Sequence, residues 1–136
     1  MPELRLHHVA VALRAIEPAL RLYRDALGGR DLGGGEESGT GDGGWVWRQV
    51  GFPGGGRVEL LEPRGPGFLN RFLDSHGEGL HHLTFRTDDI RAAIDDVRRS
   101  GYELVDVDLN DPDWREAFLR PSGAHGTLIQ VAESSG

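Results

Sequence analysis

Two copies of the tripeptide Leu-His-His, at Leu6-His7-His8 and Leu80-His81-His82, place imidazole pairs 74 residues apart in this chain. In a strand successive side chains point to opposite faces, so each tandem pair splits. His82 then shares a face with Thr84 and Arg86, and His81 goes with Leu83 and Phe85. By the same alternation His8 lies with Leu6, Ala10 and Ala12, whose small side chains leave room for a ligand, and His7 goes with Val9 and Val11. Glu59, between Val58 and Leu60, and Gln130, between Ile129 and Val131, point away from their apolar neighbours and lie 71 residues apart. If the two halves form one continuous curved mixed sheet, His8, Glu59, His82 and Gln130 converge. Two imidazoles, one carboxylate and one amide suit a divalent ion: zinc, nickel, cobalt, manganese or iron. Four protein ligands leave two positions of an octahedral ion for water or substrate oxygens.

The elements that must position these groups follow from an internal repeat. LHHVAVALRAIEPALRLYRDALGG and LHHLTFRTDDIRAAIDDVRRSGYE each read as strand, turn, amphipathic helix and glycine stop. Ile16, Ala19, Leu20, Tyr23 and Leu27 form one apolar stripe at helical spacing, with Pro18 in the first turn and Gly28-Gly29 as the stop. Ile90, Ala93, Ile94 and Val97 repeat the stripe, with Asp88 as the expected N-cap and Gly101 as the stop. Downstream, Trp45–Val50 and Arg57–Leu61 predict one hairpin, and Ala117–Arg120 and Thr127–Ala132 another. Counting back twelve residues from Glu59 reaches Trp47, and from Gln130 reaches Phe118, so the hairpins are expected to match in length. The organisation is a single α+β domain: module one over 5–62, a linker over 63–79 carrying a short helix around Phe68, Leu69, Phe72 and Leu73, and module two over 80–133.

Other candidates read as structural. His7 and His81 are expected to pack on the helix side, and His76 and His125 to lie in surface loops. Trp45, Trp47, Phe52 and Trp114 are assigned to the core or to the wall of the cleft. The stretch 33–44 holds seven glycines in twelve residues and reads as a mobile loop or a lid. Its Gly39, Gly41 and Gly44 spell a nucleotide-binding fingerprint, but a strand follows where that motif needs a helix. Asp106, Asp108 and Asn110 mimic the start of a calcium loop, yet Asp111 replaces its glycine and Ala117 its closing glutamate.

Composition removes whole chemistries. Cysteine is absent and all 15 basic residues are arginine, which excludes thiolate nucleophiles, cysteine–zinc sites, Schiff bases and lysine bases. No G-x-S-x-G elbow of a serine hydrolase is present. A net charge of −7 argues against nucleic-acid binding. No apolar run is long enough to span a bilayer, and the N-terminal residues carry no signal-peptide pattern, so the expected location is cytoplasmic and no membrane partner is expected.

HHVAVAL, LYRDALG, VELLEP, FLDSHGEGLHHLTFRTDDI and AFLRPSGAHGTLIQVAE, in this order, resemble the vicinal oxygen chelate (glyoxalase/bleomycin resistance/dioxygenase) superfamily, and most closely its methylmalonyl-CoA epimerase branch. The resemblance implies paired βαβββ modules cupping a divalent ion, commonly in a homodimer. It puts the metal ligands on His8, Glu59, His82 and Gln130, the four residues that the repeat selects. The epimerases carry a last-strand glutamate that is both ligand and base; Gln130 stands there instead, leaving Glu59 as the candidate catalytic base. A second family acid lies upstream of the first hairpin, near Glu36, Glu37 and Asp42. The expected activity is that of a metal-dependent isomerase or lyase, moving a carbon-bound proton of a small carbonyl or acyl substrate through a stabilised enolate. A metal-free drug- or metabolite-binding protein and an extradiol-type dioxygenase are the alternatives.

Overall fold

The computed structural model describes residues 2–38 and 43–135. Gly39 and Gly41 of the glycine fingerprint, and Asp42, lie outside the described residues. The chain has an α+β fold and divides into two compact units, residues 8–81 and residues 1–7 with 82–136.

In the first unit strand β1 (Arg5–Ala12) leads into helix α1 (Ile16–Leu20), which continues as a π-helical turn over Arg21–Ala26. Strands β2 (Arg30–Glu37), β3 (Trp45–Gly51) and β4 (Arg57–Pro63) follow in the order β2-β3-β4-β1. β1 runs parallel to β4, with Ala10 opposite Glu59, and the other pairs are antiparallel. The apolar stripe of α1 buries Ile16 and Leu20 against Val11, Leu13, Val50 and Leu60 on one sheet face.

The glycine-rich stretch is half strand. Gly35 sits opposite Trp47, and a Cβ on it would come within 3.1 Å of the indole. A Cβ on Gly34 would meet the Trp47 carbonyl oxygen at 2.0 Å. Glycine is required at 34 because the edge strand lies against the β3 backbone, and it is favoured at 35 because that strand covers the Trp47 indole closely. This corrects the loop expected over 33–44 for its first part.

The other sheet face carries helix α2 (Phe68–His76), the element expected within the linker. Leu69 and Leu73 bury against Ala10, Ala12 and Leu61, with Trp45, Trp47 and Phe72 packed alongside. The room expected beside Ala10 and Ala12 is therefore filled. Trp45 and Trp47 belong to this cluster, and Phe52 packs with the α1 cluster. The His81 ring meets Phe72 edge-on at 4.8 Å and Phe68 at 5.7 Å, so its packing partner is α2.

In the second unit β5 (Gly79–Arg86), α3 (Ile90–Arg99), β6 (Val105–Asp108), β7 (Trp114–Leu119) and β8 (Ile129–Ser134) repeat the plan in the order β5-β8-β7-β6. Thr84 lies opposite Gln130 in the parallel β5–β8 pair. Helix α3 buries Ile90, Ala93 and Ile94 against Ala117, Leu119 and Val131. The N-cap is Asp89, whose side chain accepts from the Ala92 N–H at 3.1 Å; the expected cap Asp88 instead pairs with Arg5. The hairpins also differ from expectation. Glu59 is opposite Gln49, ten residues back, whereas Gln130 is opposite Phe118, twelve back. A 3-10 turn over Pro121–Gly123 lengthens the second connection.

The first N–H groups of α1 and α3 are each met by a glutamate three residues beyond the strand position of interest. Glu62 Oε1 accepts from the Ile16 N–H at 2.8 Å, and Glu133 Oε1 from the Ile90 N–H at 3.0 Å. Such a bond satisfies one of the orphan donors of a helix start. Glu62→Ala is expected to cost about 1 kcal/mol, read as a fall of about 3–5 °C in Tm, with Glu62→Gln restoring most of it. Burial foremost, and the His76 charge second, hold His81 at a pKa of about 4, below the ordinary 6.5. Between those values the unfolded chain binds the proton and the native one does not, so this contribution is complete above pH 6.5 and is lost as pH falls towards 4. Tm measured from pH 7 to 4 is expected to fall less steeply in His81→Phe than in the wild type.

Candidate functional site

Strand alternation places the His8 imidazole and the Glu59 carboxylate on the α2-side face of the first unit. His8 Nε2 lies 3.2 Å from Glu59 Oε2, with the side chains 5% and 15% exposed. Gln49 Nε2 donates to the same oxygen at 2.8 Å, and Arg57 Nη1 donates to Gln49 Oε1 at 3.3 Å. Burial pushes the Glu59 carboxyl above its ordinary value; the Gln49 hydrogen bond pulls it back, and the charge of Glu37 pushes it further up. Of the three acids suggested upstream, Glu36 pairs with Arg64, and Glu37 is the one whose charge Glu59 feels.

In the second unit His82, Thr84 and Arg86 share a face of β5, and β8 adds Gln130 to it by register. Thr84, fully buried, donates from its hydroxyl to Gln130 Oε1 at 2.7 Å. Gln130 Nε2 donates to Glu116 Oε1 at 3.0 Å, and Trp114 Nε1 donates to that oxygen at 2.7 Å. Arg86 lies 5.8 Å from the Trp114 ring centroid, with Nη1 3.3 Å from His7 Nε2 and Nη2 bonded to the Ser134 hydroxyl. Trp114 thus lines the polar face of the second unit. His7 meets an arginine on the polar face rather than a helix. His76 closes α2, stacked on Phe72, and His125 is an exposed loop residue with a positive φ of 58°.

Of the four residues that the sequence singles out, His8 and Glu59 are in contact in the first unit, while His82 and Gln130 share a sheet face of the second, with Gln130 opposite Thr84 rather than His82. Among the described residues no group of three or more His, Asp or Glu side chains stands ready to hold an ion. The donor chemistry still fits a borderline divalent cation, because imidazole, carboxylate and amide oxygen are all ligands of such ions. Gln49, Thr84 and Glu116 escape the sequence reading. The signal for Glu116 is period two: it shares parity with Trp114 and Phe118, but the expected strand began one residue too late, at Ala117. Gln49 follows Trp45 and Trp47 at the same period.

A model of the Glyoxalase/Bleomycin resistance protein/Dioxygenase superfamily matches residues 7–118. The chain belongs to that superfamily. It is 28% identical to the ethylmalonyl-CoA/methylmalonyl-CoA epimerase of Cereibacter sphaeroides over 134 residues, covering 95% of this chain and 97% of that protein. The crystal structure of methylmalonyl-CoA epimerase from Mycobacterium tuberculosis superposes with a TM-score of 0.80 at 27% identity, covering 96% of this chain and 88% of that one. A Streptomyces coelicolor methylmalonyl-CoA epimerase variant in complex with 2-nitronate-propionyl-CoA gives a TM-score of 0.74 at 26% identity, covering 97% and 98%. The α+β fold expected from the repeat, and implied as glyoxalase-type by the resemblance, is the observed one. No helix among the described residues is long and apolar enough to cross a membrane.

The Gln49 bond holds the Glu59 carboxyl down against burial. In Gln49→Leu that carboxyl is expected to titrate higher still, as read by carboxyl NMR. The neutral form is then favoured more strongly in the native state, so the stability it brings is present at acid pH and lost as pH rises through the raised value. An unchanged or lower titration in Gln49→Leu contradicts this account of the site.

Proposed function

We propose that the chain is an epimerase-type isomerase that moves the α-proton of a small acyl thioester, of the class that its epimerase relatives act on, with His8, Glu59, His82 and Gln130 as ligands of a divalent ion. The observation that carries this reading is the buried His8–Glu59 pair, 3.2 Å apart, with an imidazole and an amide at the matched strand positions of the second unit. The ion's contribution when bound is Lewis-acid stabilisation of negative charge on substrate oxygens. Glu59 is the proton acceptor, since it is the one ionisable carboxyl among the four groups. Of the three acids upstream of the first hairpin, Glu37 is the candidate for the second acid, because its charge acts on the Glu59 carboxyl. Gln130 cannot take a proton, so the two directions of an epimerisation are unequal in their protein groups.

A metal-free binding protein is the second reading. It is favoured by one observation: among the described residues, no buried side-chain nitrogen or oxygen lacks a hydrogen-bond partner.

Elemental analysis of the purified protein separates the two. The isomerase reading expects near-stoichiometric divalent metal, lost in His82→Ala. A wild type that takes up neither zinc, nickel, cobalt nor manganese decides for the binding protein. In D2O the metal-loaded enzyme is expected to exchange the α-proton of methylmalonyl-CoA, and Glu59→Gln to slow this about 10²–10⁴-fold. Metal-loaded protein that incorporates no deuterium is not an epimerase of this substrate.

A further inference from the structure

A carboxamide has two ends of nearly equal size and opposite chemistry. Its oxygen can bind a cation, and its nitrogen cannot. Gln130 therefore serves as a ligand only when its amide is turned the right way. Of its two neighbours, Thr84 cannot choose, because a hydroxyl donates to an oxygen as readily as it accepts from an amide nitrogen. Glu116 can choose, because an ionised carboxylate only accepts. The indole N–H of Trp114 only donates, and it holds the same Glu116 oxygen as an acceptor at 2.7 Å. The direction of the chain Trp114 to Glu116, Gln130 to Glu116 and Thr84 to Gln130 is thus fixed from one end. A flipped amide sets its carbonyl oxygen against the carboxylate, acceptor to acceptor.

We propose that Glu116 is a positioning residue that turns the Gln130 amide so that its oxygen faces the Thr84 side of the strand face, as the donor end for a divalent cation. The cation part rests on the proposed function; the orientation part stands without it. A glutamate at position 130 offers oxygen at both ends and needs no such partner. Glu116 thus becomes necessary because residue 130 is an amide, and it does through Gln130 what the carboxylate of the epimerase pattern does by symmetry.

The orientation is read in the metal-free, ¹⁵N-labelled full chain. Nuclear Overhauser contacts are expected from the Gln130 side-chain amide protons to the Trp114 indole proton and to the Glu116 side chain. Contacts to the Thr84 methyl in their place overturn the proposal, and no variant is needed for this arm. Cobalt(II) titration, followed by its visible spectrum, reads the cation part. Glu116→Leu is expected to weaken binding about 10- to 100-fold. Glu116→Gln, whose own amide oxygen can accept both hydrogen bonds, is expected to stay within about threefold of the wild type. In a Gln130→Glu background the Glu116→Leu change is expected to leave affinity unaltered or raise it. Equal weakening in both backgrounds marks Glu116 as merely structural and overturns the positioning role. A wild type that binds no divalent metal, with the nuclear Overhauser contacts as expected, removes the proposed function and leaves the orientation established.

Discussion

An ionised carboxylate takes hydrogen bonds and gives none, and the polar faces of both units are organised around that asymmetry. In the first unit the acid is on β4 and the amide beside it on β3, as Glu59 and Gln49. In the second the amide is on β8 and the acid on β7, as Gln130 and Glu116. Acid and amide have exchanged strands between two otherwise similar halves. Each pair fixes its amide, and each acid is held by a second donor: His8 or Trp114. The low exposure of Glu59 makes its own interaction the most consequential, because a charge withdrawn from water is stabilised only by such partners.

The duplication reaches beyond the site. Glu62 and Glu133 stand three residues after Glu59 and Gln130, an odd step along a strand, and so point to the opposite face. There each accepts from the first helical N–H of its own unit. One strand thus presents a polar group to one side and anchors a helix on the other. Any shift of the helix is felt along the strand that carries the site group.

The two amphipathic helix starts and the parity of the four singled-out residues are legible from spacing alone. The stripe from Ile16 places α1, and the alternation around His8, Glu59, His82 and Gln130 places each on the polar face. What spacing cannot see is what comes opposite. The hairpin count holds for Gln130 and Phe118 but misses by two at Glu59, because the tight turn closed between Phe52 and Gly56 is shorter than the second connection and pairs Glu59 with Gln49. Strand β2 is hidden because Gly34 answers to the Trp47 backbone and Gly35 to its indole, both on another strand. Asp88 and Asp89 are equally good caps on paper, and only the closing geometry of the Ala92 bond chooses Asp89. Glu116 is hidden by a strand boundary, the least certain feature of any reading from sequence.

Helix α2 has no counterpart in the second unit, and its consequence is directional. Leu69 and Leu73 roof the alanine end of β1, so the strand that carries His8 is sealed along Ala10 and Ala12. A molecule seeking the Glu59 carboxylate therefore meets a closed wall on that flank. The tether joining the two repeats, which duplication alone leaves as mere slack, thus closes one flank of the strand that carries His8.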